Sequence, residues 1–162
     1  GNRIGKSHRL FFEQVNRAKP LSRVANNKII IKLPLDIDVK DDTAQIFARK
    51  ACIRALKIES KALLPIRLET LAKKHGFVYN SLDIKHLKGR WGSCSSHQNI
   101  TLNCLLMQLT WKEIDYVIVH ELVHTKNMSH NVKFWNEVRS IISDTDDIKK
   151  QIKTRRPILL PG

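Results

Sequence analysis

Two histidines four residues apart, His120 and His124, lie in IDYVIVHELVHTKNMSH with Glu121 between them. On a helix such a pair projects from one face about one turn apart, so both imidazoles can reach a single metal ion. Glu121 falls about 100° round the helix from His120, placed to touch a metal-bound water rather than the metal. His130 follows six residues after His124, beyond the end of that helix. Three histidines that leave one position to water form the ligand set of a catalytic zinc site. The chemistry implied is hydrolysis, with one Zn2+ lowering the pKa of its water and Glu121 acting as general base.

The pattern is selective. With seven histidines and six glutamates in 162 residues, HExxH arises by chance in about one chain in a hundred, and a third histidine at a stated place cuts that by roughly another twenty-fold. Either histidine alone is better read as a satisfied core residue. Together they sit in a helix that Ile114, Val117, Ile118, Val119, Leu122 and Val123 make apolar nearly all round. Their burial is costly unless something satisfies them, and a metal with an ordered water does so. The third ligand has two candidates on spacing, His130 in the loop and Glu137 on the next helix; a site that keeps a water takes one of them.

The elements that position these residues can be placed. Thr110 and Glu113 form the T-x-x-E of a capping box, flanked by Leu109 and Ile114 as a hydrophobic staple. The metal helix therefore runs from about Trp111 to Lys126, with Asn127 expected as a left-handed cap. Asn131 is the N-cap of a following helix that turns Phe134, Val138, Ile141 and Ile142 inward. Upstream, PLSRVANNKIIIKLP reads as a β-hairpin turning at Asn26-Asn27, with Ile29, Ile31 and Leu33 on one face. Asp41 or Asp42 caps a long helix toward His75 and Gly76, with Ile46, Ile53, Leu56, Leu63, Leu64, Leu68 and Leu71 as its apolar stripe. Pro65 predicts a kink or break within it. Strands are expected at Ser81–Leu87 and Asn99–Leu105, joined by RWGSCSSHQ, and the basic tail IKKQIKTRRPILLPG as a surface strap.

The spacing HExxHxxxxxH is shared with the metzincins, although Asn127 replaces their glycine and no methionine follows Met128. RWGSCS at 90–95, ITLN at 100–103, IDYVIVHELVH at 114–124 and SHNVKFW at 129–135 together resemble the YgjP-like metallopeptidase domain, distantly similar to the SprT and Spartan proteases. The resemblance is dense from Leu64 to Val138. It implies His120, His124 and His130 as zinc ligands and Glu121 as base, a peptide or protein substrate, and a zincin-like α+β fold. In that fold a small, mostly antiparallel sheet packs on a long helix and on the HExxH helix.

Composition bounds the alternatives. The chain suits one domain, divided here into an N-terminal hairpin region (1–40), a metallopeptidase core (41–143) and a basic tail (144–162). Lysine and arginine outnumber acids 29 to 15, leaving +14. That charge keeps open hydrolysis of nucleotide or other phosphate substrates, or association with nucleic acid, including proteolysis of DNA-bound proteins. Three cysteines without CxxC argue against a disulfide framework and for a cytoplasmic setting. No apolar run fits a secretory leader or a membrane span.

Four residues are candidate substrate contacts. Asn99 and Asn103 bound a strand that offers an edge to an extended substrate; its alternative is a core strand. Arg90 holds a carboxylate or phosphate, or else a structural ion pair. Tyr116, one turn before His120, polarises a scissile carbonyl or simply packs. Cys94 is better read as a packing residue than as a ligand thiol.

Overall fold

The computed structural model describes residues 1–159. The chain is α+β and divides into two compact units, one built on Gly1–Glu59 and the other on Ser60–Ile158. No helix among the described residues is long and apolar enough to cross a membrane.

In the first unit, β1 (Asn2–Arg3), β2 (Arg9–Val15), β3 (Leu21–Ala25) and β4 (Lys28–Pro34) form a sheet of order β1-β2-β4-β3. The hairpin forms as expected: Asn26 and Asn27 have φ of 51° and 58°, and β3 pairs antiparallel with β4. Ile29, Ile31 and Leu33 are fully buried. Strand β2, which the sequence pattern did not announce, pairs in parallel with β4 from Arg9↔Lys28 to Val15↔Pro34. Helix α1 (Asp42–His75) starts in this unit, with Ala44, Ala48, Ala51, Cys52, Ala55 and Leu56 buried. Ile46, expected in the core, is 46% exposed; small side chains take the buried stripe.

The loop before β2 closes on that helix. The Glu59 carboxylate accepts from the backbone N–H groups of Lys6 (2.6 Å), Ser7 (2.9 Å) and His8 (2.8 Å), from Ser7 Oγ and from His8 Nδ1 (2.7 Å). A Cβ on Gly5 would fall 2.3 Å from Glu59 Oε2, so the close approach needs glycine there. Burial alone would raise the Glu59 pKa, but this ring of donors, the His8 side chain foremost, holds it below the usual value.

Helix α1 continues through Pro65 without the expected break. Proline removes the donor to the carbonyl of Lys61, and Lys61 is exposed, so water can take that bond. The helix ends as predicted: Gly76 adopts φ 72°, and the Phe77 N–H returns to the Ala72 carbonyl at 2.9 Å.

In the second unit, β5 (Ser81–Lys85), β6 (Gly92–Cys94) and β7 (Asn99–Asn103) form a sheet of order β5-β7-β6. Across both sheets, three of the five pairings are antiparallel. A 3-10 turn (Cys104–Gln108) leads into α2 (Trp111–His124), then α3 (Val132–Ile141) and α4 (Thr145–Lys153). Part of the tail read as a strap is therefore helix α4, which buries Thr145, Ile148 and Ile152; Leu160 to Gly162 lie outside the described residues. Thr110 caps α2 by accepting from the Glu113 N–H at 3.2 Å, and Leu109 and Ile114 are both buried. Helix α2 packs against β6, β7, α3 and α4. Its Asp115 is held by Arg67 through two hydrogen bonds of 2.7 and 2.5 Å.

Candidate active site

Helix α2 carries His120 and His124 on one face, as its spacing requires, and the chain returns His130 to the same point. The three Nε2 atoms form a near-equilateral triangle: 3.2 Å from His120 to His124, 3.0 Å from His124 to His130, and 3.2 Å from His130 to His120. Burial, with the charges of His124, His130 and Lys149 adding to it, pushes the His120 pKa down to about 3. Burial lowers that of His124 as well. The His120 ring is therefore neutral at physiological pH. The Asn127 carbonyl can only accept, so His124 Nδ1 donates to it at 3.0 Å, which leaves the His124 Nε2 lone pair facing the centre.

Protons shared among three nitrogens leave at least one edge of the triangle imperfectly paired, whereas a divalent cation satisfies all three lone pairs at once. Two nitrogens bound about 2.05 Å from a tetrahedral zinc lie about 3.3 Å apart, close to the spacing seen. The donor set and its size therefore fit a metal ion. Glu137 lies outside this cluster, 3.6 Å from Lys126 Nζ; among the described residues the group that converges with His120 and His124 is completed by His130.

The bend that delivers His130 differs from expectation. Asn127 does not adopt positive φ; among the described non-glycine residues only Asn26, Asn27 and Gln98 do. Instead the last turn of α2 runs on, with Lys126 and Asn127 N–H groups both bonded to the Val123 carbonyl at 3.0 Å. The Asn127 side chain then ties the loop, accepting from Ser129 N–H and donating to Asn131 Oδ1. Asn131 caps α3 as predicted, accepting from the Phe134 N–H at 3.0 Å. Phe134, fully buried, forms the apolar floor, its ring centroid 4.5 to 5.0 Å from all three imidazoles. Trp135, which spacing rules did not single out, stacks on His130 at 6.0 Å and meets His120 edge-on at 5.6 Å.

Glu121 is 5% exposed and stands beside the triangle, Oε1 4.0 Å from His120 Nε2 and Oε2 with no hydrogen-bond partner among the described residues. Burial pushes its pKa up to about 8, against a downward pull from the charge of Arg90. Gly92 of β6 lies directly on it: a Cβ there would sit 3.2 Å from Glu121 Cγ. From sequence that glycine, within the RWGSCS motif, reads as a turn residue of the connection; its packing on Glu121 is set by the sheet.

The proposed strand edge is corrected. Strand β7 is central, paired on both sides, and the edge beside α2 is β6. The Asn103 N–H bonds the Trp91 carbonyl and the Ser95 N–H bonds the Asn99 carbonyl, so alternation turns the N–H and C=O of Gly92 and Cys94 away from β7. Asn99 Oδ1 is occupied by Asn80 and Ser81. Asn103 is fully buried and spends both N–H donors on the carbonyls of Leu87 and Arg90, which makes it a support for the loop carrying Arg90 rather than a substrate contact. Arg90 itself is exposed. Tyr116 is buried with its ring 6.0 Å from His120, its phenol pushed up to about 12 by burial and by the charges of Glu121 and Asp146. Burial and Glu121 push the Cys94 thiol up to about 11, consistent with packing rather than ligation.

Three histidine nitrogens converging beside a buried carboxylate, on α2 and the loop after it, have the make-up of a metal site. Residues 3–155 match the YgjP-like metallopeptidase domain, and the chain belongs to that family. The match takes in β2 to β4 and α4, well outside the segment where the motifs are dense. Two solved structures are similar over part of the chain. The metallopeptidase zymogen of Pyrococcus abyssi abylysin is 28% identical with a TM-score of 0.48, over 54% of this chain and 89% of that one. The metallopeptidase zymogen of Methanocaldococcus jannaschii jannalysin is 26% identical with a TM-score of 0.47, over 54% of this chain and 90% of that one. No curated protein matches the chain.

Proposed function

We propose that the chain is a zinc-dependent peptidase that holds one zinc ion on His120, His124 and His130 and uses Glu121 as its general base. The observation that carries this is the convergence of three Nε2 atoms within 3.2 Å, with a buried, unpartnered carboxylate 4.0 Å away. A bound zinc ion supplies Lewis acidity and brings the pKa of water at the site toward about 7.

The remaining steps belong to the protein. Kept ionised by the positive charge of a cation beside it, the Oε2 atom of Glu121 would take a proton from the attacking water and pass it to the leaving amine. Tyr116, protonated throughout the working range, is the candidate donor to the carbonyl oxygen as it gains charge. An extended peptide aligns on the outer edge of β6, where Gly92 and Cys94 present backbone donors and acceptors. Phe134 and Trp135 line the imidazoles with apolar surface and limit water around them.

The test is Glu121→Gln beside His120→Ala. Glu121→Gln is expected to keep stoichiometric metal and to lose about 10²- to 10⁴-fold in turnover of a peptide library; His120→Ala is expected to lose the metal. Wild-type turnover by metal-loaded Glu121→Gln protein removes Glu121 as base. Nucleoside triphosphates run in parallel separate peptide from phosphate hydrolysis.

A further inference from the structure

Two cationic side chains flank the three imidazoles, Lys149 acting on His120 and Arg90 on Glu121, while Glu121 and Asp146 are the carboxylates whose charge reaches the neighbouring Tyr116. On one flank, the Lys149 ammonium of α4 rests 3.8 Å from the centroid of Trp135, the ring that stacks on His130 and meets His120 edge-on. Asp146, one turn back along α4, is held by Arg139 at 3.0 Å and keeps only a through-space attraction to Lys149. On the other flank, Arg90 is exposed and stands two residues before Gly92, the residue lying against Glu121. Its carbonyl is fixed by Asn103 Nδ2 at 2.9 Å, and its charge acts on Glu121. Every other carboxylate on α2 and α3 is already paired: Glu113 with Arg155, Asp115 with Arg67, and Glu137 with Lys126. Glu121 is thus the one acid on these helices without a basic side chain bonded to it.

We propose that Arg90 and Lys149 make the site select acidic peptides, by receiving a carboxylate side chain one or two residues from the scissile bond. The proposal rests on the peptidase reading above and names its substrate class. In an extended peptide, successive residues advance about 3.3 Å, so such a carboxylate falls within about 3 to 7 Å of the bond along the chain. That is a span the long arginine and lysine side chains can meet. One unit charge about 7 Å away, at an effective dielectric between about 40 and 80, is worth about three- to seven-fold in binding.

The experiment uses zinc-loaded Glu121→Gln protein and matched fluorescent decapeptides that carry either Glu or Lys at the flanking positions. Binding is read at physiological salt, and cleavage of the same peptides by the wild-type chain is followed alongside. Acidic peptides are expected to bind about tenfold more tightly than basic ones. Lys149→Glu and Arg90→Glu should each cut that ratio by about tenfold, while Lys61→Glu, the same charge change on exposed α1, leaves it unchanged. Equal binding of the two peptides overturns the proposal. So does an equal response to Lys61→Glu, or binding of a nucleoside triphosphate in place of the acidic peptide. Acidic selectivity in binding without any peptide cleavage by the wild type would sink the peptidase reading and leave the charge assignment standing. Cleavage without selectivity would do the reverse.

Discussion

Substituting Gly92 by alanine probes how tightly the base is held. The added Cβ would lie 3.2 Å from Glu121 Cγ, 3.2 Å from the Thr101 carbonyl and 3.3 Å from Leu102 Cδ2. Ordinary carbon contacts settle at about 3.5 to 4.0 Å, so something must yield by a few tenths of an ångström. The Thr101 carbonyl is set in the sheet and Leu102 is fully buried. Glu121, with one oxygen unbonded, is the side that moves. A misplacement of about 1 Å costs a catalyst about 10²-fold, so a shift of a third of that should cost about three- to ten-fold in kcat, with KM little changed. Alanine is the better strand former by about 0.5 to 1 kcal/mol, against about 1 to 3 kcal/mol for overpacking, so the net loss of stability is about 0 to 2.5 kcal/mol. Peptidase kinetics, metal analysis and a melting curve on the same preparation read the three quantities. Unchanged kcat, or a kcat loss that tracks lost metal, refutes the contact as the constraint on Glu121.

Two further outcomes follow from named contacts. Glu137→Ala should keep metal and turnover near wild type, since its half-exposed pair with Lys126 is worth about 0 to 1 kcal/mol, whereas His130→Ala should lose the metal; plasma emission analysis of both decides which residue is the third ligand. Glu59→Gln should cost about 1 to 3 kcal/mol, because an amide nitrogen then faces donors that now meet a carboxylate. The folded Glu59 pKa lies below its unfolded value near about 4.3. Its contribution is therefore complete above that pH and lost as pH falls through the folded value, so urea midpoints of wild type and Glu59→Gln should converge in acid. Parallel curves down to the lowest pH would contradict this.

What was legible in the sequence is what local rules encode. The capping box fixed the start of α2, paired asparagines marked the hairpin, Gly76 ended α1, and HExxH with His130 placed the imidazoles. Features set by distant partners were not legible. Strand β2 gains its order from parallel pairing with β4, and three residues of β6 lie hidden in a serine- and glycine-containing connection. The central place of β7 depends on sheet order, which no strand carries in its own residues. That is why Asn99 and Asn103 read as substrate contacts while Gly92 reads only as a turn residue of the connection. Helix α4 buries only Thr145, Ile148 and Ile152, too few apolar positions to stand out against its charges. On α1, Leu56, Leu64, Leu68 and Leu71 are buried as expected, whereas in the first turns alanines rather than Ile46 fill the buried face.

The short segment after α2 has a consequence for loading. The same few residues supply the carbonyl that orients the ring of His124 and bring His130 into place. Because that segment is already tied by its own hydrogen bonds, the donors stand assembled ahead of any ion. A single loosening substitution there is expected to disturb two of the three nitrogens together, so that Asn127→Gly weakens metal retention more than an exposed-surface change elsewhere on the chain, as titration with a competing chelator would read.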